Sequence, residues 1–157
     1  MILLIGGGTH TGKTVFAQKL LEKYHYPSLS LDHLKMGLIR SGNCPLTPES
    51  DSEELTRYLW PIAREIIKTA VENGQNMIVE GCYIPADYKK DFPPRYLSHI
   101  RYLCLILSDG YIRDRYTDTT AHRSDIESRA GSAPPPPQTL EEANRANRAR
   151  CGRYGRA

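Results

Sequence analysis

Apolar residues along this chain fall into two rhythms, and the switches between them mark the elements. Residues 1–5 are an unbroken apolar run, short enough for a strand and too short for a lone helix. Phe16, Leu20 and Tyr24 then recur every fourth residue, as do Ala17 and Leu21, which predicts an amphipathic helix over 13–24. Pro27 interrupts, and 28–31 reads as a short strand ending in Asp32, followed by a short helix over 34–40 and a turn over 41–45. The longest helical stripe is Leu55, Tyr58, Leu59, Ile62, Ala63, Ile66, Ile67, Ala70 and Val71. Its start has two readings: Thr47 capping ahead of Pro48, or a capping box from Ser50 to Glu53. Pro61 should kink it, and Asn73-Gly74 should end it. Residues 77–79 read as a third strand closing in Glu80-Gly81. Prolines 85, 93 and 94 keep the next segment irregular, with one helical turn. Residues 100–107 are apolar on both faces apart from Arg101, which suits a central buried parallel strand. Strands alternating with helices predict an α/β fold with a parallel sheet and right-handed crossovers.

The pattern fades after Tyr116. Lysine stops at Lys90, and Arg, Ala, Gly and Pro take over. Residues 133–137 read as extended, and 140–151 as a helix whose apolar face is mostly alanine. The chain therefore divides into a core over 1–116 and a divergent lid and C-terminal segment over 117–157, partly disordered.

The linker between the first strand and the first helix carries the strongest chemical signal. Gly7, four residues, then Gly12-Lys13-Thr14 fits the phosphate-binding loop G-x-x-x-x-G-K-[ST], with a strand before it and a helix after it. Glycines let backbone N–H groups curl around a phosphate chain, and the helix N-terminus points its dipole at the same anion. Gly7, Gly8, Thr9, His10, Thr11, Gly12, Lys13 and Thr14 are thus the nucleotide-binding candidates. Lys13 is placed to bear on the β- and γ-phosphates, and Thr14 to ligate Mg²⁺.

Four further groups are candidates. Asp32 sits where ligands bind in open α/β sheets; it can take a proton from an attacking hydroxyl, or simply cap the helix behind it. Glu80 can hold Mg²⁺ through water, or be a solvated strand end. Lys35 and Arg40 suit an anionic acceptor or an ordinary charged face. Arg113 and Arg115 can close over a nucleotide on a lid and stabilise transferring charge, or lie on a helix surface screened by Asp109, Asp114 and Asp118.

Composition narrows the setting without changing this reading. A chain of 157 residues holds one core. A net charge of +3 makes no case for nucleic acid or membrane, and no apolar run reaches membrane-spanning length. A strand starting at Met1 leaves no room for a leader peptide. Cys44, Cys82, Cys104 and Cys151 are widely spaced, so neither zinc nor a disulfide framework is expected; Cys104 reads as a small core residue, and the cytoplasm as the compartment.

With those positions in place, residues 1–116 resemble the adenylate-kinase-like small phosphate-loop kinases, a group with the 2-phosphoglycerate kinase-like chains beside it. The carriers of the resemblance are the phosphate loop, the stretch from Asp32 through Lys35 and Arg40 to Ser41-Gly42, Val79-Glu80-Gly81, and Asp109-Gly110-Tyr111-Ile112-Arg113-Asp114-Arg115. The resemblance implies a three-layer fold with strand order 2-3-1-4, the family's fifth strand being absent before Ala157. It implies ATP and Mg²⁺ as cofactors and transfer of the γ-phosphoryl group to a small-molecule acceptor. Lys13, Asp32 and Arg115 would be catalytic; Asp32, Lys35, Arg40 and Gly81 would bind the acceptor; Thr14 and Glu80 would serve the metal. Where the family has Gly-Phe-Pro-Arg, this chain has Gly81-Cys82-Tyr83-Ile84-Pro85, without the arginine that holds an acceptor phosphate. A nucleoside monophosphate and a non-nucleotide alcohol or phospho-acid such as 2-phosphoglycerate therefore compete as acceptor, and a nucleotide-binding protein with little turnover is a third reading. No nucleic-acid or membrane partner is expected, and monomer or dimer is left open.

Overall fold

Parallel pairing places strand β1 (Ile2–Gly7) at the heart of a four-stranded sheet of order β2-β3-β1-β4, with β2 Ser28–Ser30, β3 Met77–Glu80 and β4 Ile100–Leu105. The computed structural model describes residues 1–114 and 136–154. Each crossover is helical: α1 (Lys13–Tyr24) and α2 (Leu31–Arg40) flank β2, α3 (Ser52–Glu72) precedes β3, and a 3₁₀ turn (Tyr88–Asp91) with the short α4 (Pro94–Leu97) leads into β4. Helices α5 (Asp109–Asp114) and α6 (Pro137–Tyr154) follow.

Alternation along β1 decides the layers. Ile2 and Leu4 face α3, packing with Leu59, Ala63, Ile67 and Val79 in the larger core, while Ile5 turns the other way onto Ala17, Ile78, Phe16 and Leu20. Both faces of β1 are therefore covered, as parallel strands require. The three layers and the strand order match the expectation. Helix α1 has the expected limits, and α3 ends at Asn73 with Gly74 at φ +65°. Among the described residues no helix is long and apolar enough to cross a membrane.

Several expectations need correction. Helix α3 begins at Ser52, capped by neither Thr47 nor Ser50: the Asp51 carboxylate accepts from the N–H groups of Glu53 and Glu54. It runs on through Pro61. Helix α2 begins at Leu31, so Asp32 lies in its first turn and neither ends β2 nor caps the helix; Ser30 holds the cap position. Strand β4 is an edge strand among the described residues, not a central one. Its Ile100 face packs into the core, but Leu103 is 42% exposed. A run apolar on both faces does not by itself bring a neighbour to its free side.

The C-terminal helix departs furthest from its pattern. Ala143, Ala146 and Ala149 are exposed, and the side turned inward is Leu140, Asn144, Asn147 and Cys151. These positions are spaced by three and four, so they form one stripe. Asn144 brackets Leu107 at the end of β4: its Oδ1 accepts from the Leu107 N–H at 3.1 Å and its Nδ2 donates to the Leu107 carbonyl. Arg148 donates to the same carbonyl at 3.0 Å. Cys104 is not a free core thiol: it forms a disulfide with Cys151. The two are separated by 47 residues, a distance over which sequence spacing says nothing about proximity. Only the docking of α6 across β4 brings them together.

Helix α6 is thus held by Asn144 and arginine hydrogen bonds, ion pairs to α5 and one covalent link, with little apolar area of its own. The Cys151→Ser variant should lose about 2–4 kcal/mol from that docking. Hydrogen exchange should show faster amides confined to α6, with β1 and β3 amides unchanged. Equal acceleration in the sheet would show that α6 is part of the cooperative core.

Candidate functional site

The chain leaves β1 through a loop whose entry at Gly7 only bare backbone can form. At Gly7 (φ +134°) a Cβ would come within 2.4 Å of the Leu105 carbonyl oxygen, so β1 can run beside the end of β4 only without a side chain there. His10 (φ +62°) and Gly12 (φ +80°) take left-handed backbone, and α1 starts at Lys13 immediately after. These turns aim the loop across the N-terminus of α1. Lys13 is buried, its Nζ donating to the Gly8 carbonyl at 2.6 Å, and Thr11 Oγ1 donates to the same oxygen at 2.9 Å. Gly8, Thr11 and Lys13 therefore form a closed cradle, with the ammonium inside it. Asn147 of α6 packs against the cradle from outside; a Cβ on Gly8 would meet its Nδ2 at 2.8 Å.

Strand pairing sets the acidic residue beside this loop. Ile5 is the register partner of Glu80, so β3 ends level with the start of the loop. Thr14 Oγ1 donates to Glu80 Oε1 at 3.4 Å, and Glu80 is 1% exposed. A hydroxyl and a buried carboxylate are hard oxygen donors of the kind Mg²⁺ takes together with phosphate and water oxygens. The pair fits that ion, and the sequence reading of Glu80 as a solvated strand end is ruled out by its burial.

A second polar group lies on the other side of the loop after β3. Gly81 (φ +156°) passes so close to α2 that a Cβ would sit 2.8 Å from Leu31 Cβ. That approach carries Cys82 to the phosphate loop, with its Sγ 3.8 Å from Thr9 Oγ1, and Tyr83 to α2. Lys35 Nζ donates to Asp32 Oδ1 at 2.8 Å and to the Tyr83 hydroxyl at 3.0 Å. The Lys35 and Asp32 side chains are 12% and 26% exposed, and Tyr83 is buried. Burial disfavours the Lys35 charge, but the bonds to Asp32 and Tyr83 outweigh it and hold the ammonium above its ordinary pKa of 10.5. Burial also raises the Tyr83 phenol, against the pull of the Lys35 ammonium.

The structure joins Asp32, Lys35 and Gly81 in this group but leaves Arg40 out: it is exposed in the last turn of α2, about two turns beyond Asp32. Arg113 lies on α5 and pairs with Glu141 of α6 at 3.5 Å, while Asp109 accepts from Arg145 at 3.0 Å. Arg115 and Asp118, with most of the lid expectation and of the extended stretch over 133–137, lie outside the described residues. Tyr83 is the functional candidate that sequence reasoning missed. An aromatic after a strand reads as core, and its hydroxyl matters only because of where Lys35 lies.

No protein-family model matches the chain, and no curated protein matches it. Solved structures do. A chain of the Pnkp1/Rnl/Hen1 RNA repair complex superposes with a TM-score of 0.61 at 13% identity, over 98% of this chain and 45% of that one. A candidate kinase from Chloroflexus aurantiacus superposes with a TM-score of 0.54 at 19% identity, over 77% of this chain and 67% of that one. The fold these neighbours share with the chain is a layered α/β fold around a parallel sheet. This chain spans less than half the length of the first of these neighbours, and at such identities the likeness is one of fold alone.

Two outcomes follow from the site's chemistry. Lys13→Ala removes a charged donor at the first residue of α1, not apolar area from the core, so the domain should stay folded. ATP affinity measured by calorimetry should fall about ten- to a hundredfold; wild-type affinity would overturn the assignment of the loop. The raised Lys35 and Tyr83 pKa values mean the folded state holds these protons more tightly than the unfolded state does. Their stabilisation is complete below about pH 10 and is lost as pH rises through the folded-state values. The Lys35→Met/Tyr83→Phe double variant, which removes both titrating groups, should therefore flatten the alkaline decline in melting temperature measured by calorimetry.

Proposed function

We propose that the chain is an ATP-dependent phosphotransferase that moves the γ-phosphoryl group to a hydroxyl of a small acceptor. The observation that carries this reading is the convergence of three chemistries at the C-terminal edge of one parallel sheet: the Lys13 cradle, the Thr14–Glu80 oxygen pair beside it, and the Asp32 carboxylate beyond Gly81. Ligands of open α/β sheets bind along that edge. The adenylate-kinase-like resemblance supports the nucleotide half of the site. The acceptor half departs from it, because the loop Gly81-Cys82-Tyr83-Ile84-Pro85 has no arginine for an acceptor phosphate.

In the reaction the loop amides and Lys13 bind the β- and γ-phosphates and neutralise charge as it shifts onto the leaving oxygen. Asp32 accepts the proton of the acceptor hydroxyl as that oxygen bonds to the γ-phosphorus and the bond to the bridging oxygen breaks, leaving ADP. Thr14 and Glu80 would hold Mg²⁺, which when bound neutralises phosphate charge. Arg115 is proposed, on the resemblance, as the cation that closes on the transferring group.

Asp32→Asn tests the acceptor. With a hydroxyl acceptor and Asp32 as base, the rate of transfer from radiolabelled ATP should fall by about two to four powers of ten, with the KM for ATP unchanged. An unchanged rate for every acceptor would remove Asp32 from the mechanism.

A further inference from the structure

We infer that Tyr83 is a positioning residue of the acceptor site: through Lys35 it holds the Asp32 carboxylate in place to receive a proton from a neutral alcohol. This rests on the phosphotransfer reading above and adds to it a residue and an acceptor class.

Three observations converge. The first is connectivity. The Tyr83 hydroxyl, the Lys35 ammonium and Asp32 Oδ1 form a chain with links of 3.0 and 2.8 Å. Lys35 has four rotatable bonds in its stem and would otherwise sample many positions around Asp32. A second fixed partner on the far side of the ammonium removes that freedom.

The second is a gradient of exposure. Tyr83 is 8% exposed, the Lys35 side chain 12% and the Asp32 side chain 26%. The carboxylate is therefore the member of the chain most open to a ligand, with the cation and the phenol behind it. Oδ1 is engaged by Lys35, which leaves Oδ2 outside that ion pair.

The third is charge. Binding a phosphate-bearing acceptor at this carboxylate would need an uncommitted cation to offset the repulsion. Lys35 is committed twice, and the Cys82-Tyr83-Ile84 loop supplies no cation. A neutral hydroxyl meets no such barrier and gains a hydrogen bond to the carboxylate. Gly81 makes the arrangement possible, since a side chain there would push the Tyr83 loop off α2.

Tyr83→Phe keeps the ring and deletes only the hydroxyl, so the local packing survives. The experiment is steady-state transfer from ATP with Mg²⁺ to a panel of neutral sugars and polyols, with AMP as the phosphate-bearing control. Tyr83→Phe should lower kcat about tenfold while leaving the KM for ATP unchanged. In a Lys35→Met background the same change should cost nothing further, because Tyr83 acts through Lys35. An activity-independent reading comes from the free protein: the Lys35 ammonium protons, held by two acceptors, should give a slowly exchanging ¹⁵N-edited NMR signal that Tyr83→Phe abolishes. An unchanged kcat, an additive double variant or an unaltered ammonium signal overturns the positioning role. Transfer to AMP and to no neutral acceptor overturns the acceptor class while leaving the kinase reading intact. No transfer to anything, with the ammonium signal still lost in Tyr83→Phe, defeats the kinase reading itself.

Discussion

A backbone without side chains at the end of β1 is the constraint on which the site depends. Gly7 lies against the Leu105 carbonyl, and Gly6 lies under Tyr102, whose hydroxyl would be 2.4 Å from any Cβ there. A side chain at Gly7 would meet backbone, so β4 could not pair to the end of β1 and the register that aligns Gly7 with Leu105 would be lost, whereas at Gly6 the Tyr102 ring would have to shift. Gly7, His10 and Gly12 take positive φ and turn the loop back toward α1, where the Gly8 carbonyl accepts from Lys13. Sheet pairing and the seating of Lys13 therefore both depend on one segment. Substitution at Gly7 would be felt in both.

Pairing on the other side of β1 is equally consequential. Parallel strands fix residues side by side, so the match of Ile5 with Glu80 is what brings a carboxylate to Thr14 from 66 residues away. The next residue, Gly81, repeats the device used at Gly7: unusual backbone at a strand end permits close approach, here to Leu31. One sheet edge thus carries two glycine-dependent contacts, each seating a polar group. The phosphate loop is seated by the first and the Asp32–Lys35–Tyr83 chain by the second. Cys82, 3.8 Å from Thr9, spans the gap between them.

How much of this was legible in the sequence depended on what kind of force sets each feature. Hydrophobic burial has a period, so α1, α3, β1 and β3 were readable from their stripes, and the strand order followed from the resemblance. The phosphate loop was readable because its backbone demands glycine at set positions. Helix α6 was misread for the opposite reason. Its buried side is held by Asn144 and the Cys104–Cys151 bond, neither of which produces an apolar period, and its alanines face solvent. The edge position of β4 was hidden because a run of apolar residues reports its own composition and not whether a neighbour exists. Asp32 was found by its place after β2, and Lys35 by its charge. Tyr83 was not, because its role lies in a hydroxyl that meets Lys35 from 48 residues further along the chain.

The two polar groups of the sheet edge differ in what they leave open, and that difference argues for the division of labour between them. In the cradle the cation stands ready: the neutral Gly8 carbonyl accepts from Lys13, and exchanging that partner for a phosphate oxygen trades a weak acceptor for a charged one. In the second group the cation is already neutralised by Asp32, and giving it to an incoming phosphate would strand a partly buried carboxylate without its counter-ion. An anion gains by entering the first group and loses by entering the second. The electrostatics therefore favour an anion at the glycine loop and a neutral hydroxyl at the Asp32 carboxylate, which is the arrangement the proposed transfer would use.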